Sequence, residues 1–164
     1  MSHRLLLLSL RCLCIVLIPP SAVLAADFTG RVVVVSHGDT LTVLHSGKAE
    51  RIRLSGIDCP EKHQPFGKRA KQFTARLTYG KEVTVKDLSQ DRDGRTIADV
   101  FLPDGRVLNR ELVKAGFAWW YRKYSDDQSL GDLEAQAREA KRGLWADAHP
   151  VPPWEWRMRR KRDR

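Results

Sequence analysis

Short β-branched or alternating runs of apolar residues dominate the chain between residues 28 and 102 and predict β-strands. Four consecutive valines occupy 32–35, and charged and apolar residues alternate over 51–54, which is the period of a half-buried strand. Sequences rich in glycine, proline and aspartate separate these runs and predict turns. The pattern therefore predicts five strands, over 28–35, 40–44, 51–54, 82–86 and 97–102.

Three other segments have apolar residues at helical spacing. The clearest places Phe66, Ala70, Phe73 and Leu77 on one face and is followed by Gly80, a stop signal. The predicted helices cover 66–78, 109–115 and 130–142. Because strands and helices do not alternate regularly, the order indicates an α+β fold built on a small antiparallel barrel.

The first 26 residues have the pattern of a leader rather than of a folded domain. Arg4 precedes an apolar stretch that Arg11 interrupts, two prolines end it, and small residues follow up to Ala25. A membrane-spanning helix needs roughly 20 continuous apolar residues, and Arg11 leaves no such run. We predict a signal peptide over 1–25, cleavage near Ala25, and a secreted or periplasmic protein with no transmembrane span in the mature chain. An uncleaved N-terminal membrane anchor is the alternative.

The length of the chain limits the number of domains, and its charge indicates the class of binding partner. A chain of 164 residues allows one ordinary domain, predicted over 26–148, followed by a Pro/Trp/Arg-rich basic tail over 149–164. We expect the end of this tail, the arginine-rich run over 157–164, to be flexible. The 29 Lys and Arg residues exceed the 20 Asp and Glu residues, giving a net charge of +9. Such a surplus indicates a polyanionic partner, either nucleic acid or an anionic membrane surface.

Several residues suited to phosphate or metal chemistry stand in turns or at strand ends. Asp39 closes the turn after the first strand, and Asp58 and Glu61 lie in the loop that follows the strand with Arg53. Arg95 ends a later turn. Carboxylates together with a backbone carbonyl form an oxygen-only ligand set that suits Ca²⁺, and guanidinium groups can bind phosphate oxygens bidentately. Capping of the turns and solvated ion pairs are the structural alternatives for the same residues.

A cluster of aromatic and basic residues occupies 119–124. Trp119, Tyr121 and Tyr124 are candidates for stacking on the bases of single-stranded nucleic acid, with Arg122 as a phosphate contact. Packing of the tryptophans in the core is the alternative. The basic tail is a further candidate for binding nucleic acid or anionic lipid.

The order of several short motifs resembles the staphylococcal nuclease (thermonuclease) family. VSHGDTL at 35–41 is similar to that family's V-x-D-G-D-T-hydrophobic signature, and RLSGIDCPE at 53–61 is similar to its R-L-hydrophobic-G-I-D-x-P-E segment. PFG at 65–67, DRDGR at 91–95 and RGLW at 142–145 follow in the same order. The likeness runs from about residue 28 to residue 145.

The resemblance implies a five-stranded OB-fold β-barrel with three α-helices. It also implies a Ca²⁺-dependent, sugar-nonspecific endonuclease that hydrolyses DNA and RNA, single strands preferred, to leave 3′-phosphate ends. We expect a monomer without a stable protein partner. Two rival functions are a catalytically silent OB-fold module that binds single-stranded nucleic acid and a surface-anchored domain used in adhesion.

The resemblance also assigns roles to individual residues. It implies that Ca²⁺ is bound by Asp39, Asp58 and the backbone carbonyl of Cys59, and that catalysis uses Glu61, Arg53 and Arg95. Glu61 would orient or deprotonate the attacking water, and the two arginines would hold the scissile phosphate.

Two positions depart from the family pattern. His37 replaces an aspartate, which removes an outer-sphere carboxylate and predicts weaker Ca²⁺ binding. Asp93 replaces a tyrosine, which removes a ring near the substrate and adds a negative charge beside Arg95.

Overall fold

A closed five-stranded barrel forms the body of the protein in a computed structural model that describes residues 27–162. Around the barrel the strands lie in the order β1-β2-β3-β6-β5. All neighbouring strands are antiparallel except β3 and β6, which are parallel. In chain order the elements are β1 (Phe28–His37), β2 (Thr40–His45), β3 (Lys48–Leu54), β4 (Ile57–Asp58), α1 (Gly67–Thr78), β5 (Glu82–Gln90), β6 (Thr96–Phe101), α2 (Leu108–Lys114), β7 (Trp119–Trp120), α3 (Gln128–Glu139), a 3₁₀ turn (Gly143–Ala146) and α4 (Pro153–Arg162).

The alternation seen in the sequence explains the barrel interior. On β3, Ile52 and Leu54 are buried in the core, whereas Arg51 points to solvent and Arg53 lies on the other face of the strand. Valines and leucines of the other four strands fill the interior with them. The α+β barrel predicted from the sequence is thus confirmed, but the expectation that it is antiparallel is wrong for the β3–β6 pair. Residues 27–162 form four α-helices in place of the three predicted.

The predicted leader lies outside the described residues, and so the structure does not address the cleavage site. Within residues 27–162, no helix is long and apolar enough to cross a membrane.

The fourth helix includes most of the arginine-rich run expected to be flexible, and that expectation is wrong for residues 157–162. Pro153 begins α4, a position where its fixed backbone angle suits a helix. The ring of Trp154 stacks in parallel on Tyr121, with centroids 5.1 Å apart, and meets Trp119 edge-on at 5.7 Å. Just before α4, the carbonyl of Val151 accepts a 2.6 Å hydrogen bond from Gln64 Nε2. These contacts hold the C-terminal segment against the body of the protein.

Candidate active site

Asp39 is fixed by a turn that has no room for a side chain at Gly38. A Cβ there would lie 2.8 Å from Cys59 Sγ and 2.9 Å from the Cβ of Ala70. The carbonyl of Gly38 also accepts a 2.5 Å hydrogen bond from Thr74 Oγ1 of α1. The β1–β2 turn is therefore held between α1 and the loop after β4, which sets the position of Asp39.

Asp58 is fixed by a second small sheet. β4 pairs with β7, so that Asp58 lies opposite Trp119 and Ile57 opposite Trp120. The backbone N–H of Tyr121 extends the pairing by donating to the carbonyl of Gly56 at 2.9 Å. Asp58 is buried, with 2% of its side chain exposed.

Arg53 lies between the two aspartates. Its Nη1 is 3.2 Å from Asp39 Oδ2, and its Nη2 donates to Asp58 Oδ1 at 2.9 Å. Nη1 also donates to the carbonyl of Leu54 at 3.1 Å. The backbone N–H of Cys59 donates to Asp39 Oδ2 at 2.7 Å. Two buried carboxylates therefore share one guanidinium that is itself 15% exposed.

Burial and ion pairing have opposite effects on the pKa values of Asp58 and Arg53. Burial raises the pKa of Asp58 above its ordinary value, while Arg157 and Arg53 act to lower it. Burial disfavours the charged form of Arg53, but Asp39 and Asp58 outweigh it and raise the pKa of Arg53. The guanidinium of Arg53 therefore stays charged between its two partners.

Glu61 is positioned by a tight loop between β4 and α1. Its backbone N–H donates to Gln64 Oε1 at 3.1 Å, and its carbonyl accepts from the backbone N–H of Gln64 at 2.9 Å. A Cβ on Gly67 would lie 1.9 Å from the Glu61 carbonyl oxygen, so the start of α1 packs directly on this loop. The Glu61 side chain is 31% exposed and lies beside Asp58, because Arg157 binds both carboxylates.

Arg157 of α4 is a member of this cluster that the sequence did not reveal. Its Nη2 lies 2.8 Å from Asp58 Oδ2 and its Nη1 lies 2.7 Å from Glu61 Oε1. Burial acts to lower the pKa of Arg157, but the contacts with Asp58 and Glu61 outweigh it and raise this pKa above its ordinary value. The one sequence signal for it was the pair of tryptophans at 154 and 156, which can anchor an otherwise charged segment.

Cys59 contributes to the site through its backbone rather than its thiol. The side chain is buried, and burial raises the pKa of its thiol well above the ordinary value. The thiol therefore stays protonated near neutral pH and is a poor metal ligand or nucleophile. In residues 27–162, no three or more His, Cys, Asp or Glu side chains are grouped to hold a metal ion.

Arg95 makes its contacts in the turn before β6 rather than in the cluster. Its Nε and Nη2 lie 2.7 and 2.6 Å from Asp91 Oδ2, and Nη2 is 3.4 Å from Asp93. Burial acts to raise the pKa of Asp91, but the hydrogen bonds from Arg95 outweigh it, so the pKa of Asp91 lies below its ordinary value. Arg95 directly precedes Thr96, the first residue of β6, which pairs with Ile52 next to Arg53, so the backbone of Arg95 lies at the end of the strand beside β3. Its role at the phosphate stays a prediction.

The aromatic positions divide into packed and exposed groups. Trp119 is 6% exposed and packs edge-on against Trp145, with centroids 4.5 Å apart, and against Trp154. This burial matches the packing alternative for Trp119. Tyr121 is partly covered by its stack with Trp154, whereas Tyr124 is 67% exposed.

Arg122 is the basic member of this group. Its guanidinium lies over the ring of Trp120, 4.3 Å from the centroid, and Nη2 donates to Glu134 at 2.9 Å. Substrate binding by Trp119, Tyr121, Arg122 and Tyr124 stays a prediction.

Comparison with known proteins decides the family. Residues 51–147 match the family described as staphylococcal nuclease homologues. The chain belongs to the staphylococcal nuclease family. The resemblance seen in its motifs is thereby confirmed.

Similar proteins of this family carry nuclease names. The chain is 50% identical over 138 residues to an uncharacterized endonuclease of Escherichia coli O157:H7, covering 84% of this chain and 90% of that protein. It is 41% identical over 142 residues to a micrococcal nuclease of Shigella flexneri, covering 80% and 82% of the two chains. It is 42% identical over 134 residues to an uncharacterized endonuclease of Haemophilus influenzae, covering 81% and 75%. Membership of the staphylococcal nuclease family and these names support nuclease activity in general.

The site extends beyond the part of the chain that the staphylococcal nuclease match covers. Arg53, Asp58 and Glu61 lie inside the matched residues, whereas Asp39 precedes them and Arg157 follows them. Asp39 and Arg157 are therefore the members of the site that lie outside the family match.

Proposed function

We propose that this chain is a Ca²⁺-dependent endonuclease that hydrolyses the phosphodiester bonds of DNA and RNA and leaves 3′-phosphate ends. The observation that carries the proposal is the pair of buried carboxylates on Asp39 and Asp58, which share the guanidinium of Arg53, with Glu61 beside them. A module that only binds nucleic acid needs the basic residues but has no use for three acidic side chains facing a polyanion.

The residues present fit a hard divalent cation. Asp39 and Asp58 both contact the guanidinium of Arg53, which supports a shared cation between their oxygens, and the carbonyl of Cys59 would add a third oxygen. Two carboxylates about 5 Å apart repel each other by roughly 3 kcal/mol at an effective dielectric of 20. Arg53 offsets part of that repulsion. When bound, the cation would supply a Lewis acid for a phosphate oxygen and reduce the repulsion between the phosphate and the incoming hydroxide.

Glu61 is suited to act on the attacking water. It is more exposed than Asp58 and lies at the rim of the cluster, where a water can reach it. An ionised carboxylate in that place can orient a water molecule or take its proton as a general base. The water would displace the 5′-oxygen of the ester, which leaves the phosphate on the 3′ side.

The arginines supply hydrogen bonds to the charge that develops on the phosphate. Arg53 is held rigidly by Asp39 and Asp58, so a donor aimed at a non-bridging oxygen needs no reorganisation. Arg95 already binds Asp91 through Nε and Nη2, so a phosphate would contact the N–H groups of Nη1 or displace that carboxylate.

The surface beside the site favours single-stranded substrates. Tyr124 presents an exposed ring, with Lys123 Nζ 5.5 Å from its centroid and Arg122 nearby in the chain. An exposed ring beside basic side chains suits stacking on an unpaired base with contacts to phosphate. The predicted leader over 1–25 supports action outside the cytoplasm, after export and cleavage. We propose that the mature chain acts as a monomer.

The test is cleavage of single-stranded DNA by the mature chain, first with Ca²⁺ and then with excess chelator. The proposal predicts cleavage with Ca²⁺ that stops in chelator and fails in Asp58→Asn. Cleavage that continues undiminished in chelator would refute the metal assignment. Binding of DNA without cleavage in Ca²⁺ would instead identify the silent OB-fold module.

A further inference from the structure

The guanidinium of Arg157 occupies carboxylate oxygens that a bound cation would need. One of its nitrogens lies 2.8 Å from Asp58 Oδ2, and the other lies 2.7 Å from Glu61 Oε1 and 3.4 Å from Asp58 Oδ1. α4 thus delivers a positive charge to the same acidic cluster that is proposed to bind Ca²⁺.

All four carboxylate oxygens of the two aspartates already have donors. Asp39 Oδ1 accepts from Thr40 Oγ1 at 3.0 Å, and Asp39 Oδ2 accepts from the backbone of Cys59. Asp58 Oδ1 accepts from Arg53, and Asp58 Oδ2 accepts from Arg157. Each oxygen can accept more than one contact, but a divalent cation at Asp58 and the guanidinium on the same carboxylate repel each other, so cation binding favours departure of that guanidinium.

Arg157 is the donor that can leave most easily. Its side chain is 40% exposed, compared with 15% for Arg53, which is also tied to the carbonyl of Leu54. The backbone of α4 is held by the stack of Trp154 on Tyr121, so the helix can stay docked while the long side chain swings into solvent. An exposed guanidinium group on a flexible arginine side chain can move in this way at a small cost in free energy.

We propose that Arg157 is a built-in counter-cation of this site, which competes with the divalent cation for Asp58 and thereby sets the cation concentration at which the site fills. In the absence of a cation, the guanidinium stabilises Asp58 and Glu61. When the divalent cation binds, it displaces the guanidinium of Arg157 from Asp58. This inference rests on the proposed function, because it requires a cation at Asp39 and Asp58.

The test is Ca²⁺ binding to the mature chain by isothermal titration calorimetry, without nucleic acid. In the wild type, Ca²⁺ binding replaces the charge-assisted hydrogen bonds from Arg157 to Asp58, whereas Arg157→Gln has no such bonds to lose. The variant should therefore bind Ca²⁺ about tenfold more tightly. Arg157→Lys keeps the charge and the stem but loses the forked contact, and its dissociation constant should fall between the two.

Arg159→Gln is the matched control. It removes the same charge from the same helix, but Arg159 is exposed and pairs with Glu155 at 3.5 Å rather than with the cluster. Its Ca²⁺ affinity should stay within about twofold of the wild type, because exposed charges are screened by salt.

Three outcomes separate this inference from the proposed function. If wild type binds Ca²⁺, Asp58→Asn does not, and Arg157→Gln binds no more tightly than wild type, the inference is overturned and the metal site stands. If Arg157→Gln and Arg157→Lys both tighten binding in the expected order, the inference is supported. If wild type and both Arg157 variants bind no Ca²⁺ although each unfolds cooperatively, the proposed metal site fails and the inference fails with it.

Discussion

Arg53→Gln should destabilise the protein strongly without Ca²⁺ and much less with it. The substitution removes the guanidinium that lies 3.2 Å from Asp39 and 2.9 Å from Asp58, two carboxylates that are almost fully buried. Removing one partner of a buried ion pair costs roughly 3–5 kcal/mol, because it leaves buried charge uncompensated. Arg157 still pairs with Asp58 in this variant, so we expect the lower end, about 3 kcal/mol.

The measurement is urea unfolding of wild type and Arg53→Gln at pH 7, in chelator and in saturating Ca²⁺. A domain of this size is stable by about 5–15 kcal/mol, so the variant should still fold and show a complete transition. With Ca²⁺ bound, the cation takes the place of the lost positive charge, and the difference in free energy of unfolding should fall to about 1 kcal/mol.

Arg51→Gln is the control for the loss of a positive charge from the same strand. Arg51 is exposed on β3, and its substitution should change the free energy of unfolding by no more than about 0.5 kcal/mol. The reasoning is refuted if Arg53→Gln costs no more than Arg51→Gln in chelator. It is also refuted if the cost of Arg53→Gln is the same with and without Ca²⁺.

Three further predictions follow from the same geometry. Glu61→Gln should lower kcat on single-stranded DNA by about 10²–10⁴ while fluorescence anisotropy shows unchanged DNA binding, since a general base acts on the rate; turnover equal to wild type would remove Glu61 from the mechanism. Arg95 lowers the pKa of Asp91, so this carboxylate stabilises the fold above its ordinary pKa of about 3.9, and the contribution is lost as pH falls through the lower folded-state value. Asp91→Asn should therefore be less stable than wild type at pH 7 and equal to it near pH 2 in urea unfolding, and a difference that persists at low pH would argue against the assignment. Gly38→Ala should lower both thermal stability and Ca²⁺ affinity, because its Cβ would lie 2.8 Å from Cys59 Sγ and shift the turn that holds Asp39; unchanged Ca²⁺ affinity would show that the turn does not set the site.

The barrel was predictable from the sequence because its determinants are local. Alternation over 51–54 places Ile52 inside and Arg53 on the opposite face, and this is what the burial of β3 shows. The predicted ends of helices and strands were less accurate. α3 ends at Glu139 rather than at 142, because Lys141 takes a left-handed backbone conformation with a φ of 49°. No feature of hydrophobic spacing reports such a backbone angle.

The members of the site were predictable from the sequence only where they stand in motifs that resemble the family. Arg53 and Asp58 lie in one such motif, at 53–61, and the structure brings them into a contact that the motif alone did not predict. Arg157 contacts Asp58 across 99 residues, through a helix whose mostly charged sequence gives no apolar face. That helix is stabilised by packing of Trp154 on Tyr121, a long-range contact that local patterns cannot report.

The most direct test of the central claim, that Asp39 and Asp58 share one divalent cation, is a crystal structure of the mature chain with Ca²⁺ and anomalous diffraction data. We expect one strong anomalous peak at about 2.3–2.6 Å from carboxylate oxygens of both residues, with the guanidinium of Arg157 moved away from Asp58. A fully occupied crystal in which Ca²⁺ lies elsewhere, or contacts neither aspartate, would contradict it.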